Sequence, residues 1–544
     1  MTRRTVFTTL LVSIALLALA PELAYAAPMP WKITKTQWTP SDEKNYQNFI
    51  VAIGESGCRT VKDCMKSAAN PYRGTDPAGF DFWADCGRFP YLLRAYFAWK
   101  NGLPFSVVSA VKPVENLGTD IRYSPKGNYV VARRDAIQKT PQGAPGHDIV
   151  QQISMVVSTA MYRYNIENDQ PTTGLFFDFV PTKIDRTGIR PGTVIYDANG
   201  HAAIVYRIET DGRIRFFDAH TDASITRSAY GEKFERASAN SGAGFKNFRP
   251  LYLVNAVRQV DGSYAGGRIT TIPMRQVADF SIEQYYGTEP QPTPTWRKAI
   301  FKFKGQSLPY YDWVRSRLAA GDLKYHPVDE MLNMMDTLCN DAKERVQAVE
   351  GAVAMGIHLK PQPNNLPTNI FGTSGEWESY STPSRDARLK TSFVEVRKEV
   401  QRFVELSRQA SPRIIYSGTN LVADLKEAYE RTANACEIIY TRTNGTRVKL
   451  TYNHVAARLY SMSFDPYQCV ERRWGADTAQ ELATCPMDPT KEAWYAAEQR
   501  LRNQISRPYD AKMGFSLDDL RAKLPGSGVD VPPNADLRAY LYSL

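Results

Sequence analysis

Cys86 is the residue in this sequence best placed to do covalent chemistry. It stands in Asp81-Phe82-Trp83-Ala84-Asp85-Cys86-Gly87-Arg88-Phe89-Pro90, directly ahead of apolar residues at helical spacing: Phe89, Leu92, Leu93, Tyr96, Phe97 and Trp99. Gly87 and Pro90 fall in the first turn, where a proline costs no hydrogen bond. A helix start carries partial positive charge and unpaired N–H groups, which favour a thiolate, the nucleophilic form of cysteine. Asp85 opposes that effect, so a base must come from elsewhere. Without one, a small cysteine on a core helix is ordinary packing.

The candidate base lies more than a hundred residues on. Ile189-Arg190-Pro191-Gly192-Thr193-Val194-Ile195-Tyr196-Asp197 and His201-Ala202-Ala203-Ile204-Val205-Tyr206 read as two strands around an Asn199-Gly200 turn. Ile214 to Thr221 is then a third strand, on which Asp218 and His220, two apart, share a face. In a three-stranded meander His201 sits beside that face. A lone histidine at a hairpin is most often structural. Here an acid and a second histidine accompany it, and His201 can take a thiol proton while Asp218 or His220 orients the ring.

The cysteine count bears on whether Cys86 is free. There are seven: Cys58, Cys64, Cys86, Cys339, Cys436, Cys469 and Cys485. Arg3 and Arg4, an apolar run from Leu10 to Ala20 and Ala24-Tyr25-Ala26 predict a signal peptide over residues 1–26. The Thr2-Arg3-Arg4 start hints at twin-arginine export, but disulfides formed after export favour the general route. Export, to a periplasm or the outside, implies an oxidising compartment in which thiols pair. Six cysteines allow fifteen pairings. Cys58 and Cys64 can close a short loop, Cys469 and Cys485 another, and Cys339 and Cys436 lie in two helical segments that can run side by side. Cys86 is left over.

The order of these groups (cysteine at a helix start, histidine on a later strand, acid on the next) resembles the papain-like cysteine hydrolase superfamily. It looks most like the NlpC/P60 endopeptidases and the transglutaminase-like peptidases. The resemblance is carried by Asp85-Cys86-Gly87, Pro191-Gly192-Thr193-Val194-Ile195, Gly200-His201-Ala202-Ala203 and Phe217-Asp218-Ala219-His220, and it covers about residues 80–225. NlpC/P60 enzymes have Asp-Cys-Ser-Gly at the nucleophile; here Gly87 and Arg88 replace the last two residues. The resemblance implies catalysis by Cys86 and His201 with Asp218 or His220 as third member. It implies that Asp85 holds a substrate ammonium, with Trp83 and Arg88 as neighbouring substrate-binding candidates and Trp83 as a candidate oxyanion donor beside the Cys86 N–H.

Around these motifs the composition is that of a globular protein. Of 544 residues, 43% are hydrophobic and 23% charged, enough for more than one core. The leader holds Arg3, Arg4 and Glu22, so its removal takes the net charge from +10 to +9, an excess suited to an anionic cell wall or envelope. Nothing in the pattern indicates nucleic-acid binding, a transmembrane segment, a metal site or a cofactor.

A helix is expected from Ser41, strands over 107–114 and 129–133, a helix over 146–164, and strands over 248–258 and 267–272 closing the sheet. Gly287 to Pro294 is Pro-rich and marks a linker at 287–295. Beyond it, helical stripes are expected over 328–357, 386–408, 421–440 and 448–459. Between them, residues 360–384 form a long loop suited to a substrate-flanking lid.

The fold class expected is α+β. A papain-like domain at 27–286, a cysteine-bearing helix packed on an antiparallel sheet, precedes a mostly α-helical, disulfide-bonded domain at 296–544. The function expected is an exported cysteine hydrolase that cleaves an amide through an acyl-enzyme, with a peptide bond of peptidoglycan stem peptides as substrate. The alternatives are a non-catalytic envelope or cell-wall binding protein on the same scaffold, and a transglutaminase-like amine acyltransferase.

Overall fold

The computed structural model describes residues 29–118, 120–139, 143–290, 295–368, 375–380, 382–486, 488–506 and 513–544. The expected leader lies outside them, as do residues 291–294 of the Pro-rich stretch.

The chain is mixed α and β, with antiparallel sheets and a helical C-terminal half. It begins with α1 (Pro40–Glu55) and α2 (Val61–Lys66). The cap of α1 is Thr39 rather than Ser41: Thr39 Oγ1 accepts from the Asp42 N–H and the Asp42 carboxylate accepts from the Thr39 N–H, with Pro40 in the first turn. The helix α3 (Phe89–Lys100) is buried along its whole length from Phe89 to Trp99. Hairpin β1 (Phe105–Pro113) and β2 (Asn128–Ala136) follows, then α4 (Gly146–Val156). The 146–164 helix stops early because Val157 turns extended and Ser158 caps a separate short turn.

Six antiparallel strands form the main sheet: β3 (Phe179–Pro181), β4 (Val194–Asp197), β5 (His201–Ile208), β6 (Ile214–Ala219), β7 (Ile225–Ala229) and β8 (Gly244–Phe248), in the order β3-β8-β4-β5-β6-β7. Its edge is completed by β3 and β8, not by residues 252–272. Those make two small pairs, β9 (Tyr252–Val254) with β12 (Arg268–Thr270) and β10 (Val257–Arg258) with β11 (Tyr264–Ala265).

Strand alternation explains why the sheet sequence is nearly continuous in apolar residues. Val194, Tyr196, Ala202, Ile204 and Phe217 face the core that contains α3, whereas Ile195, Ala203, Val205, Phe216 and Phe245 face a second core. That second core is closed by β13 (Phe301–Phe303), β14 (Gln306–Leu308) and α6 (Tyr310–Leu318), after the short α5 (Glu283–Tyr286). The packing of the N-terminal half therefore runs past the 287–295 stretch to Leu318.

The helical half is built on α7 (Pro327–Ala354), α9 (Thr382–Arg408) and α10 (Leu421–Ala435), with α8 (Gly375–Tyr380) ahead of α9. Residues 437–451 depart from the helical expectation. Ile438 and Tyr440 alternate inward and an Asn444-Gly445 turn follows, giving the hairpin β15 (Glu437–Thr441) and β16 (Arg447–Thr451) before α11 (Tyr452–Arg458). Disulfides join Cys58 to Cys64, Cys339 to Cys436 and Cys469 to Cys485, and Cys86 is free. No helix among the described residues is long and apolar enough to cross a membrane.

Candidate active site

Cys86 lies in the turn that leads into α3. Asp85 builds that turn: its carbonyl accepts from the Phe89 N–H at 2.8 Å and its carboxylate from the Arg88 N–H at 2.9 Å. Tyr162 Oη donates to the Gly87 carbonyl at 2.7 Å and fixes the turn from the other side. A side chain at Gly87 would lie 3.0 Å from Thr159 Cγ2 and 3.2 Å from its backbone nitrogen, so Thr159 would have to give by a few tenths of an ångström to admit one. Among the described residues no backbone carbonyl accepts from the N–H of Cys86 or Gly87, as expected for a helix start.

Opposite stands the β4–β5 hairpin. Gly200, at φ 87°, makes the turn that only glycine adopts readily and delivers His201 to the first position of β5. Pairing of β5 with β6 begins only at Ile204, leaving the first residues of β5 open toward Cys86. The Cys86 thiol donates to Gly200 O at 3.9 Å, and the backbone of Ala202 favours its thiolate form. Cys86 and His201 line one cleft, shared with Asp85, Arg88, Asn199, Gly200, His220 and Thr221.

The ring of His201 is held from behind. Its Nε2 lies 2.5 Å from Asp218 Oδ2. A carboxylate only accepts, so Nε2 carries the proton and Nδ1 keeps its lone pair. Asp218 and Thr226 are cross-strand partners on β6 and β7, and the Thr226 hydroxyl donates to Asp218 Oδ1. His220 stacks on His201 with ring centroids 5.7 Å apart, and its Nε2 lies 3.2 Å from Thr226 Oγ1 and 3.7 Å from Asp218 Oδ2. Asp218 is thus the group hydrogen-bonded to the His201 ring; His220 stacks on that ring and is linked to Asp218 through Thr226.

Burial dominates the electrostatics. It pushes the Cys86 thiol up to about 12, aided by the charges of Asp85 and Asp218 and opposed by the Ala202 backbone and Arg388. Burial lowers His201 despite the raising effect of Asp218, and Arg388 lowers it further. Burial also lowers His220, well below the usual histidine range. Asp218 is held below the usual carboxylate range: burial raises it, but the charges and hydrogen bonds of His201, His220 and Thr226 outweigh that. At neutral pH the resting site is a neutral thiol and a neutral imidazole beside a carboxylate.

Of the other residues singled out in the sequence, Asp85 and Arg88 line the cleft and form an ion pair with each other. Trp83 is exposed under the Arg88 guanidinium, 5.1 Å from its ring centroid, and its backbone N–H donates to Gln151. Sequence reasoning missed Thr226, visible only once β6 and β7 are paired, and the contribution of the helical half. Glu378 of α8 and Arg388 of α9 line the cleft. Arg122 pairs with Glu378, and Thr221 Oγ1 donates to the carbonyls of Glu378 and Ser379. Behind His201, Asp341, Glu344 and Arg385 from α7 and α9 line a second chamber with Asp218 and His220.

Among the described residues, the one group of histidine, cysteine and carboxylate side chains close enough to hold a metal ion is Cys469, Glu471 and Cys485, two of which are joined in a disulfide. Comparison with known proteins finds no matching family model, curated protein or solved structure.

Proposed function

We propose that the protein is a cysteine hydrolase that opens an amide bond through an acyl-enzyme. The observation that supports this best is the shared cleft of a free thiol and an imidazole whose far nitrogen is fixed by a buried carboxylate. Cys86 Sγ attacks the amide carbonyl as His201 Nδ1 takes its proton. The Cys86 N–H, at the start of α3, supports the oxyanion. His201 returns the proton to the leaving amine, which departs and leaves a thioester. Water, deprotonated by His201, then attacks the thioester and releases the acid and the thiol. Asp218 keeps the ring in the reactive tautomer and balances the imidazolium that forms in both halves.

The substrate proposed is a peptide bond in a peptidoglycan stem peptide, met after export. The excess of positive charge and the three disulfides support that setting. The test is incubation of the full chain with purified peptidoglycan while new free amino groups are counted. Release by the wild type and none by Cys86→Ala supports the reading. No release by either protein from peptidoglycan or from isolated stem peptides contradicts it.

A further inference from the structure

We propose that the junction between the two halves holds a second ligand site, which binds a small organic cation (an ammonium group on an apolar body), with Glu395 and Ser392 of α9 receiving the ammonium. This does not rest on the hydrolase reading.

A cavity lies between the β6–β7 end of the sheet and the helical half. Residues of β6 and of the chain leaving β7 wall one side, and α6, α7 and α9 wall the others. It shares no residue with the cleft of Cys86. Much of its lining is apolar: Tyr230, Tyr311, Met334, Leu338, Val396 and Phe403. An apolar wall with a few convergent polar groups is the usual make-up of a small-molecule site.

The charges on this wall are out of balance in one direction. Each of its cations is already matched to a carboxylate. Arg315 lies 2.6 Å from Glu330, Arg402 3.0 Å from Asp312 and Arg215 2.8 Å from Glu209. Arg213 lies 2.8 Å from Asp211 and Lys233 3.4 Å from Asp341. Glu395 has no such match. Its Oε1 accepts from the Glu232 N–H at 3.1 Å. Among the described residues Oε2 has no hydrogen-bond partner, and no lysine or arginine pairs with either oxygen. Burial pushes this carboxyl up to about 7, against the lowering effects of the Glu232 N–H and Lys233.

Ser392 stands one turn before Glu395 on the same face of α9. It is only 7% exposed, lines the same cavity, and its hydroxyl has no partner among the described residues. Buried polar groups are normally satisfied, so two neighbours left open onto one cavity point to a ligand. An ammonium supplies what both lack. It carries donors only, so Glu395 Oε2 and Ser392 Oγ can each accept one of its N–H groups. An anion would meet Glu395 as a like charge, and a neutral ligand would leave the carboxylate without a counter-charge.

Hexylamine, 1-hexanol and hexanoate test this, since they share an apolar chain and differ at the head. Each is titrated calorimetrically into the full chain at about pH 8, where the amine and Glu395 both carry their charges. Hexylamine should bind at a single site, about ten-fold or more tighter than hexanol, with hexanoate the weakest. Glu395→Gln keeps the shape and removes the charge. It should bring hexylamine to within about three-fold of hexanol, whereas Glu395→Asp should keep part of the preference. The wild-type comparison needs no variant: hexylamine that binds no tighter than hexanol, or does not saturate by about 20 mM, overturns the proposal. So does a preference that survives unchanged in folded Glu395→Gln.

Discussion

His201 Nε2 and Asp218 Oδ2 lie 2.5 Å apart, at the point where the pairing of β5 and β6 has been left open. The two side chains are buried, and Asp218 spends its second oxygen on Thr226. The carboxylate therefore has one orientation, and it imposes one tautomer on the imidazole. Asp218→Asn keeps the shape but can offer an N–H to the ring, which favours the tautomer with its proton on the wrong nitrogen. The expected loss in kcat is about 10²–10⁴-fold with a smaller change in KM. Steady-state hydrolysis by the refolded variant checks it; a loss under about three-fold would mean the ring is oriented by something else.

The pH dependence should be that of a neutral pair. Burial lowers His201 from the usual value of about 6.5 and pushes Cys86 up to about 12. The reactive state, thiol plus free imidazole, fills as pH rises through the lowered His201 value. It is not lost until far above pH 9. A plot of kcat/KM against pH should climb on the acid side of about 6.5 and stay flat from about 7 to about 9. A resting thiolate–imidazolium pair would instead lose activity in that window as the imidazolium gives up its proton.

Asp197, at the end of β4, makes stability depend on pH. Burial pushes its carboxyl up to about 7, against about 3.9 in an unfolded chain. Between those values the folded chain keeps a proton that the unfolded chain has released. This contribution to stability therefore falls as pH rises through the window, and the loss is complete above it. Asp197→Asn holds the site neutral at every pH. It should be near neutral at pH 4 and stabilise by about 1–3 kcal/mol at pH 8, within the ceiling of about 4 kcal/mol that a shift of three units allows. Urea midpoints at the two pH values measure it; equal effects at both would contradict the assignment.

The Cys339–Cys436 bridge closes 97 residues of the helical half and ties α7 to the end of α10. Replacing both cysteines with alanine should cost about 2–5 kcal/mol. Because α7 and α9 line the chamber behind His201, activity should fall at temperatures where the wild type is still fully active. Thermal melting and activity measured on the same samples check both parts.

Much of the N-terminal half was legible because its signals are local. Helical spacing from Phe89 to Trp99, the Asn199-Gly200 turn and the alternation through Val205 each depend on a few neighbouring residues, and each element formed where expected. The three disulfides formed as the short loops and the two helical segments suggested. Misreadings arose where two signals compete. Thr39 caps α1 in place of Ser41 because Pro40 fits the first turn and Asp42 closes the box. Ile438 and Tyr440 fit a helical stripe as well as a strand, and the Asn444-Gly445 turn decides between them. The choice between Asp218 and His220 needed the β6–β7 register, which sets Thr226 against Asp218. Arg388 could not be read from any local pattern, since its distance from Cys86 in the chain is bridged only by tertiary packing.

The most direct measurement is the labelling of Cys86 by iodoacetamide in the non-reduced protein at pH 8, wild type against His201→Ala. An imidazole that accepts the thiol proton predicts one carbamidomethyl group, placed on Cys86 by peptide mass, and a rate at least about ten-fold slower in the variant. Equal rates in the two proteins, or a wild-type Cys86 that never reacts while the chain stays folded, would contradict the account.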